Sequence, residues 1–302
     1  MRIVVTGGSG MLGHNLMRWA HRSYEVWGSY HTHRVDIPGC SMFTMDLSNE
    51  KESKNKIKSV KPEVVIHTAA LTDVDECNRQ PAWAGRINAE GTKILAEVSE
   101  EINARFVYIS TDYVFDGEKG DYREQDEPSP VNRYGETKLL GEESVRRFCS
   151  RALILRTTMF GLKIPPTRGL METLVGALRS GQPLSRFTDQ YFTPVYTGQF
   201  SEIILRLVSL GAEGLFHIGP KTKVSRYEFA LRVAELFKLS GAEIRPVPFQ
   251  QIQGLARRPR NTSLVSQEIE RRWGIQLPSL PAGLAQLKRD WENLPDEGGV
   301  SR

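Results

Sequence analysis

The sequence predicts an α/β fold built on a doubly wound parallel sheet, and three observations carry that expectation. Short β-branched runs alternate with helix-like stretches along most of the 302 residues. Several of these runs are apolar at consecutive positions, as strands buried on both faces are. A glycine-rich turn, Thr6-Gly7-Gly8-Ser9-Gly10-Met11-Leu12-Gly13, joins the first run to the first helical stretch.

In chain order, strands are expected at 3–6, 25–30, 64–68, 106–110, 153–156 and 215–218, and helices at 11–21, 82–102, 134–148, 198–209 and 225–239. Leu12, Leu16, Trp19 and Ala20 recur at the helical period, as do Ile87, Ile94, Leu95 and Val98, which gives each helix an apolar stripe. After Gly161 the regularity loosens into Lys163-Ile-Pro-Pro-Thr-Arg-Gly169, a further helix, and turn-rich segments mixed with late strands. The tail 294–302, rich in Gly and charge, is expected to be disordered.

Composition excludes several classes. Hydrophobic residues at 39% and charged residues at 25% are ordinary for a globular chain. The net charge of +4 is spread out, and Arg257-Arg258-Pro259-Arg260 is too short for a nucleic-acid footprint, so no nucleic-acid partner is expected. Cys40, Cys77 and Cys149 lie far apart without Cys-x-x-Cys spacing. That argues against a disulfide framework and a zinc site, suits a reducing compartment, and leaves no metal expected. No apolar run reaches membrane-spanning length, and a strand from residue 2 leaves no room for a signal peptide. The expected location is cytoplasmic, with no membrane partner.

The turn at 6–13 is a dinucleotide fingerprint in its required strand–turn–helix context. Gly7 permits the tight turn, Gly10 admits a pyrophosphate against the backbone, and Gly13 allows close helix–strand packing. Ser9, Met11 and Leu12 complete a helix start whose free N–H groups face the phosphates. NAD recognition calls for an acidic residue at the end of the second strand. Here that strand ends at Tyr30 and continues His31-Thr32-His33-Arg34, a basic stretch that favours NADP(H) over NAD(H). Asp46-Leu47 either brackets an adenine or caps the next helix. The small residues Ala69 and Ala70, followed by Leu71, leave room for a cofactor, while His67 reads as a packed strand-end histidine.

Of nine tyrosines, only Tyr134 is followed by a lysine four residues on, Lys138. On a helix that spacing sets phenol and ammonium on one face, and the cation is expected to lower the phenol pKa. Ser110-Thr111-Asp112-Tyr113-Val114-Phe115-Asp116-Gly117 stands just upstream.

With these motifs the chain resembles the extended short-chain dehydrogenase/reductases, and within them the dTDP-4-dehydrorhamnose reductase group. The resemblance also draws on Leu71-Thr-Asp-Val-Asp-Glu-Cys77, Ile87-Asn-Ala-Glu-Gly-Thr92, Leu155-Arg-Thr157, Asp189-Gln190 and Arg258-Pro-x-Asn261, nearly the whole chain. It implies a Rossmann dinucleotide-binding domain at 1–160, with late strands from about 188–219, and a substrate-binding region at 161–187 and 220–293. It implies reduction of a C4 ketone on a nucleotide-linked deoxysugar. Tyr134 donates the proton, Lys138 assists it and holds the nicotinamide ribose, and Thr111 or Ser110 bonds the developing alkoxide. Asn88 is implied in a water relay or a helix irregularity. Substrate contacts are implied for Val114, Phe115 and Phe160, and for Asp112 unless it serves the turn. Arg257, Arg258 and Asn261 would reach a sugar-nucleotide diphosphate unless they form a surface loop.

The chain departs from its family in three places. Thr158-Met159-Phe160 stands where a substrate-facing Trp is frequent, and Asp189-Gln-Tyr-Phe-Thr-Pro-Val195 replaces Asp-Gln-x-Gly-x-Pro-Thr. Asn15 occupies the place of a Glu that supports a Mg²⁺-mediated dimer in some members, so the resemblance allows a homodimer without that metal. Two alternatives remain open. One is a nucleotide-binding regulatory subunit similar to methionine adenosyltransferase β subunits, which share Asp-Tyr-Val-Phe-Asp-Gly and Arg-Pro-Arg-Asn. The other is an epimerase or dehydratase of the same superfamily.

Overall fold

The structure is a computed structural model that describes residues 1–162, 170–239, 243–251 and 253–293. The segment expected to loosen at 163–169 and the expected tail at 294–302 lie outside the described residues. The first half runs β1 (Arg2–Thr6), α1 (Met11–Ala20), β2 (Glu25–Tyr30), β3 (Cys40–Thr44), α2 (Glu50–Val60), β4 (Val64–His67), α3 (Val74–Arg79) and α4 (Pro81–Ala84). A π-helical turn, Gly85–Glu90, leads into α5 (Gly91–Glu101), β5 (Arg105–Thr111), a 3₁₀ turn (Asp112–Val114), α6 (Arg133–Phe148) and β6 (Ala152–Phe160). The rest comprises α7 (Leu170–Arg179), β7 (Leu184–Phe187), β8 (Tyr191–Phe192), β9 (Pro194–Tyr196), α8 (Thr197–Ser209), β10 (Gly214–Ile218), β11 (Val224–Ser225), α9 (Arg226–Leu236), β12 (Ile244–Val247), α10 (Gln267–Trp273) and α11 (Leu280–Glu292).

The main sheet is parallel, in the order β3-β2-β1-β4-β5-β6-β10, with β9 pairing the far end of β6. Alternate residues of each central strand feed opposite faces. Ile3, Val5, Val64, Ile66, Val107 and Ile109 pack under α1 and α8. Val4, Val65, Phe106 and Tyr108 pack under α2, α5 and α6. Burial on both faces is why these strands read as continuous apolar runs. A separate apolar cluster joins Phe160 at the end of β6 to α7, α9 and α11.

Three differences from expectation have local causes. Edge strand β3 buries none of its residues fully and exposes Ser41 and Thr44, and α2 buries only Ser53, Ile57 and Val60, so neither shows an apolar pattern. The helix expected over 82–102 is interrupted by the π-turn around Asn88. Strand β6 outruns its apolar stretch because β9 pairs Thr158, Met159 and Phe160.

A buried ion pair locks α6 to the sheet. Arg156 of β6 donates from Nε and Nη2 to Glu142 of α6, at 2.8 and 2.7 Å. Ser110 of β5 donates to the same carboxylate at 2.6 Å, and Arg146 adds a third cationic contact at 2.9 Å. Glu142 and Arg156 are almost wholly buried, so removing Arg156 leaves the carboxylate with only the half-exposed Arg146 and the Ser110 hydroxyl. Arg156→Met is therefore expected to cost roughly 3 kcal/mol or more. A thermal melt unchanged from the parent would contradict that.

Candidate active site

A cavity of about 680 Å³ opens beyond the carboxyl ends of β1, β2, β4, β5 and β6. This is where an open doubly wound sheet leaves a crevice between diverging connections. Gly7 adopts φ +69°, and a Cβ there would meet the Ala69 backbone at 2.8 Å, so the β1 turn and the β4 end approach as only glycine permits. Gly7, Ser9, Gly10, Met11, Leu12, Gly13, Tyr30, Asp46, Leu47, Ala69, Ala70 and Leu71 all line this cavity. Asn49 rather than Asp46 caps α2, while Asp46 Oδ1 accepts from Ser48 N at 2.8 Å. Arg34 differs from the expectation. It does not line the cavity, because its guanidinium pairs with Asp36 at 2.8 Å on the exposed side of the loop, and His31 faces the cavity instead.

The same wall fits a dinucleotide. Helix α1 begins at Gly10 with no side-chain cap and no acidic residue in its first turn, so its leading N–H groups face the cavity. Helices α4, α8 and α10 also start without a side-chain cap, but the start of α1 lines the cavity, which makes it a suitable phosphate seat.

Thr111, Asp112, Tyr134 and Lys138 form the opposite wall. Helix α6 starts at the Asn132 cap, which accepts from Gly135 N at 3.0 Å. A Cβ on Gly135 would lie 2.1 Å from Tyr113 O, so glycine lets the first turn of α6 press against the Thr111–Tyr113 turn and sets Tyr134 beside Thr111. Lys138 donates to Ile109 O at 2.7 Å and lies 4.1 Å from the Tyr108 ring centroid. Asn88 uses its whole amide: Oδ1 accepts from Leu71 N at 2.8 Å, and Nδ2 donates to Leu71 O and Thr137 Oγ1 at 3.0 and 3.1 Å. It braces the cavity loop against α6. His67 is a packed residue, held by Thr6 and Thr92 hydroxyls at 2.6 and 3.1 Å and pushed down to about 3 by burial.

Electrostatics here correct one expectation. Burial pushes the Tyr134 phenol well above its ordinary range, with the Thr111 hydroxyl acting the other way. Burial also brings Lys138 down to about 7, against the pull of Glu142. Lys138 bonds Ile109 O and lies over the Tyr108 ring, and burial dominates at the phenol. Tyr134 thus stands as a protonated acid. Asp112 is pushed up to about 6 by burial, opposed by the Thr262 hydroxyl and the Arg226 charge.

Most of the residues implied as substrate contacts lie elsewhere. Val114 and Phe115 are fully buried in a small core with Tyr122 and Leu264, where Phe115 stacks on Tyr122 at 4.1 Å. Phe160 packs against Tyr196 and Phe229. Arg257 is an exposed side chain 3.8 Å from Glu118, and Asn261 Oδ1 accepts from Ser263 N and Oγ. Apolar side chains in the turn after β5 went to the interior, and the polar run at 257–261 went to ion pairs and turn bonds. Asp112 alone of that set lines the cavity, alongside Arg226 and Trp83, which sequence reasoning passed over. Glu142 was also passed over, although it stands one further turn along the Tyr134–Lys138 face.

Two outcomes follow from this geometry. Because the Lys138 pKa is lower folded than unfolded, the folded chain lacks a proton between about 7 and the unfolded value of 10.5. The penalty for burying its charge is complete below pH 7 and is relieved as pH rises through that window. Unfolding at pH 8.5 should take up about one proton more in the parent than in Lys138→Met, read by calorimetry in buffers of differing ionisation enthalpy. Equal uptake would refute the assignment. Gly135→Ala should force the first turn of α6 away from Tyr113 and destabilise the fold by roughly 1–3 kcal/mol, read as a lowered thermal melt.

The chain is similar to known proteins over nearly its whole length. A family model described as RmlD substrate binding domain matches residues 1–292. A protein of Haloferax volcanii named as a probable low-salt glycan biosynthesis reductase, Agl14, is 32% identical over 95% of this chain and 97% of its own. Methionine adenosyltransferase 2 subunit beta of Danio rerio is 28% identical over 93% of this chain and 87% of its own. The structure of a Bacillus anthracis dTDP-4-dehydrorhamnose reductase in complex with NADP superposes with a TM-score of 0.83 at 25% identity, covering 96% of this chain and 99% of that one. The chain belongs to the RmlD substrate binding domain family.

Proposed function

We propose that this protein is an NAD(P)-dependent oxidoreductase acting on a sugar nucleotide, and that it uses NADPH to reduce the C4 ketone of a nucleotide-linked deoxysugar. The observation that carries the reading is the meeting of Thr111, Tyr134 and Lys138 on one wall of a cavity whose other wall is the uncapped start of α1. When bound, the dinucleotide supplies the hydride. Gly7, Gly10 and the first turn of α1 would hold its phosphates, and Lys138 its nicotinamide ribose. Strand β2 ends at Tyr30 without a carboxylate and His31 follows it on the cavity wall, which supports NADP(H) over NAD(H).

The proton chemistry belongs to the chain. Tyr134 keeps its proton on the phenol oxygen because burial disfavours the phenolate. It releases that proton to the ketone oxygen as negative charge grows there. The Thr111 hydroxyl, which donates to Asp112 at 3.1 Å, stands ready to turn toward the same oxygen. Lys138 stabilises the phenolate left behind, and Glu142 one turn further on favours its charged form.

The test is oxidation of NADPH, followed by absorbance, against a panel of nucleotide-linked 4-keto sugars. Wild type should turn over at least one of them, and Tyr134→Phe should lower kcat by about 10²-fold or more with NADPH affinity unchanged. Equal turnover by the two proteins would sink the mechanism. Tight NADPH binding with silence across the panel would support a regulatory subunit instead.

A further inference from the structure

Hydride and proton transfer leave one charged group of the cavity wall without a task. Arg226 opens α9 and lines the cavity near Asp112, Tyr113 and Met159. Its guanidinium lies 3.8 Å from the centroid of the buried Phe192 ring, which fixes where it points. Its backbone N–H is tied to Gln190 O at 3.0 Å, so the residue stands on a braced helix start.

Arg226 has no ion-pair partner among the described residues. Asp112 feels its charge, yet the Asp112 oxygens are taken by the Thr111 and Thr262 hydroxyls. Behind it, Arg186 of β7 is a second guanidinium whose side-chain bond is to Ser185 O, and no carboxylate among the described residues pairs with it. Burial and the Arg226 charge together hold Arg186 below its ordinary pKa, so the two cations feel one another. Arg226 on the cavity wall, with Arg186 close enough to feel its charge, leaves local positive charge beside Asp112. The arginines first expected to reach a diphosphate are occupied elsewhere, Arg258 with Asp75 at 2.9 Å and Arg257 beside Glu118, and the neighbouring Arg260 pairs with Asp189.

We propose that Arg226, backed by Arg186, binds an anionic oxygen group of the substrate and so selects what the cavity accepts. Two sources share that chemistry: the phosphates of a nucleoside-diphosphate carrier and a carboxylate on the sugar. Guanidinium matches either in a two-point fork. The Phe192 ring beneath holds the fork in place. Phe192 and Met159 lie in the two stretches where the chain leaves its family's pattern, so the selecting end of the cavity is this chain's own. The proposal rests on the reading of the cavity as a sugar-nucleotide reductase site.

The experiment titrates the NADPH-loaded protein with dTDP, thymidine, inorganic pyrophosphate and glucuronate, for the parent, Arg226→Gln, Arg226→Lys and Arg186→Gln. Arg226→Gln should weaken dTDP and pyrophosphate about tenfold or more if the anion is a diphosphate, or glucuronate if it is a carboxylate. Thymidine should change less than about twofold, since it carries no anion for the charge-assisted bond. Arg226→Lys should recover part of the loss by keeping charge without the fork, and Arg186→Gln should show a smaller loss in the same direction. In turnover, Arg226→Gln should raise KM with kcat nearly held. Equal affinities of parent and Arg226→Gln for every anion would overturn the proposal, as would a parent that binds none of them. A ketone panel that stays silent while the anion effect persists would overturn the reductase reading and leave the anion subsite standing.

Discussion

The carboxylate of Glu142 is the constraint on which the site depends. It is buried between α6 and the sheet, where Arg156, Ser110 and Arg146 converge on it. Arg146 belongs to α6 itself, while Ser110 and Arg156 come from β5 and β6, whose ends form two sides of the cavity. One charge therefore fixes α6 in register against both strands, and with it the positions of Tyr134 and Lys138 relative to Thr111. A buried ion pair contributes little net stability against an apolar replacement, but it tolerates no slippage. The gain here is placement.

That placement explains the electrostatics. Phenol and ammonium are both deep in the protein, so desolvation acts on each before they act on one another. It drives them toward the neutral forms, an intact phenol and a lysine poised near neutrality. Spacing on a helix sets which groups share a face, while the surrounding dielectric decides how strongly they couple.

Much of this was legible in the chain. Strands buried on both faces announce themselves by apolar runs, and the turn at 6–13 could be read because strand, glycines and helix occur in fixed order. The cavity residues from that turn, from 69–71 and from 111–138 come together as their order along the sheet suggests. Elements that pack weakly were hidden: β3 is an edge strand, and α2 shows a charged face around three buried residues. The substrate side was least legible. Val114, Phe115 and Phe160 are apolar residues beside a cavity, and a motif does not say whether such a side chain turns to the ligand or to the core. Arg226 left no signal because its partners, Phe192 and Asp112, are distant in sequence and meet it only through α9.

The π-turn at Gly85–Glu90 has a geometric consequence for the outer rim. A π-turn carries one residue more than the α-turn it replaces, and in a helix each residue advances the azimuth by about 100°. Everything before it, α4 included, is rotated by that amount relative to a regular helix continued back from α5. Trp83 meets the cavity from the orientation so produced. The widened turn that brings the Asn88 amide onto Leu71 thus also acts as a phase shifter, and it decides which side of α4 is presented to the ligand.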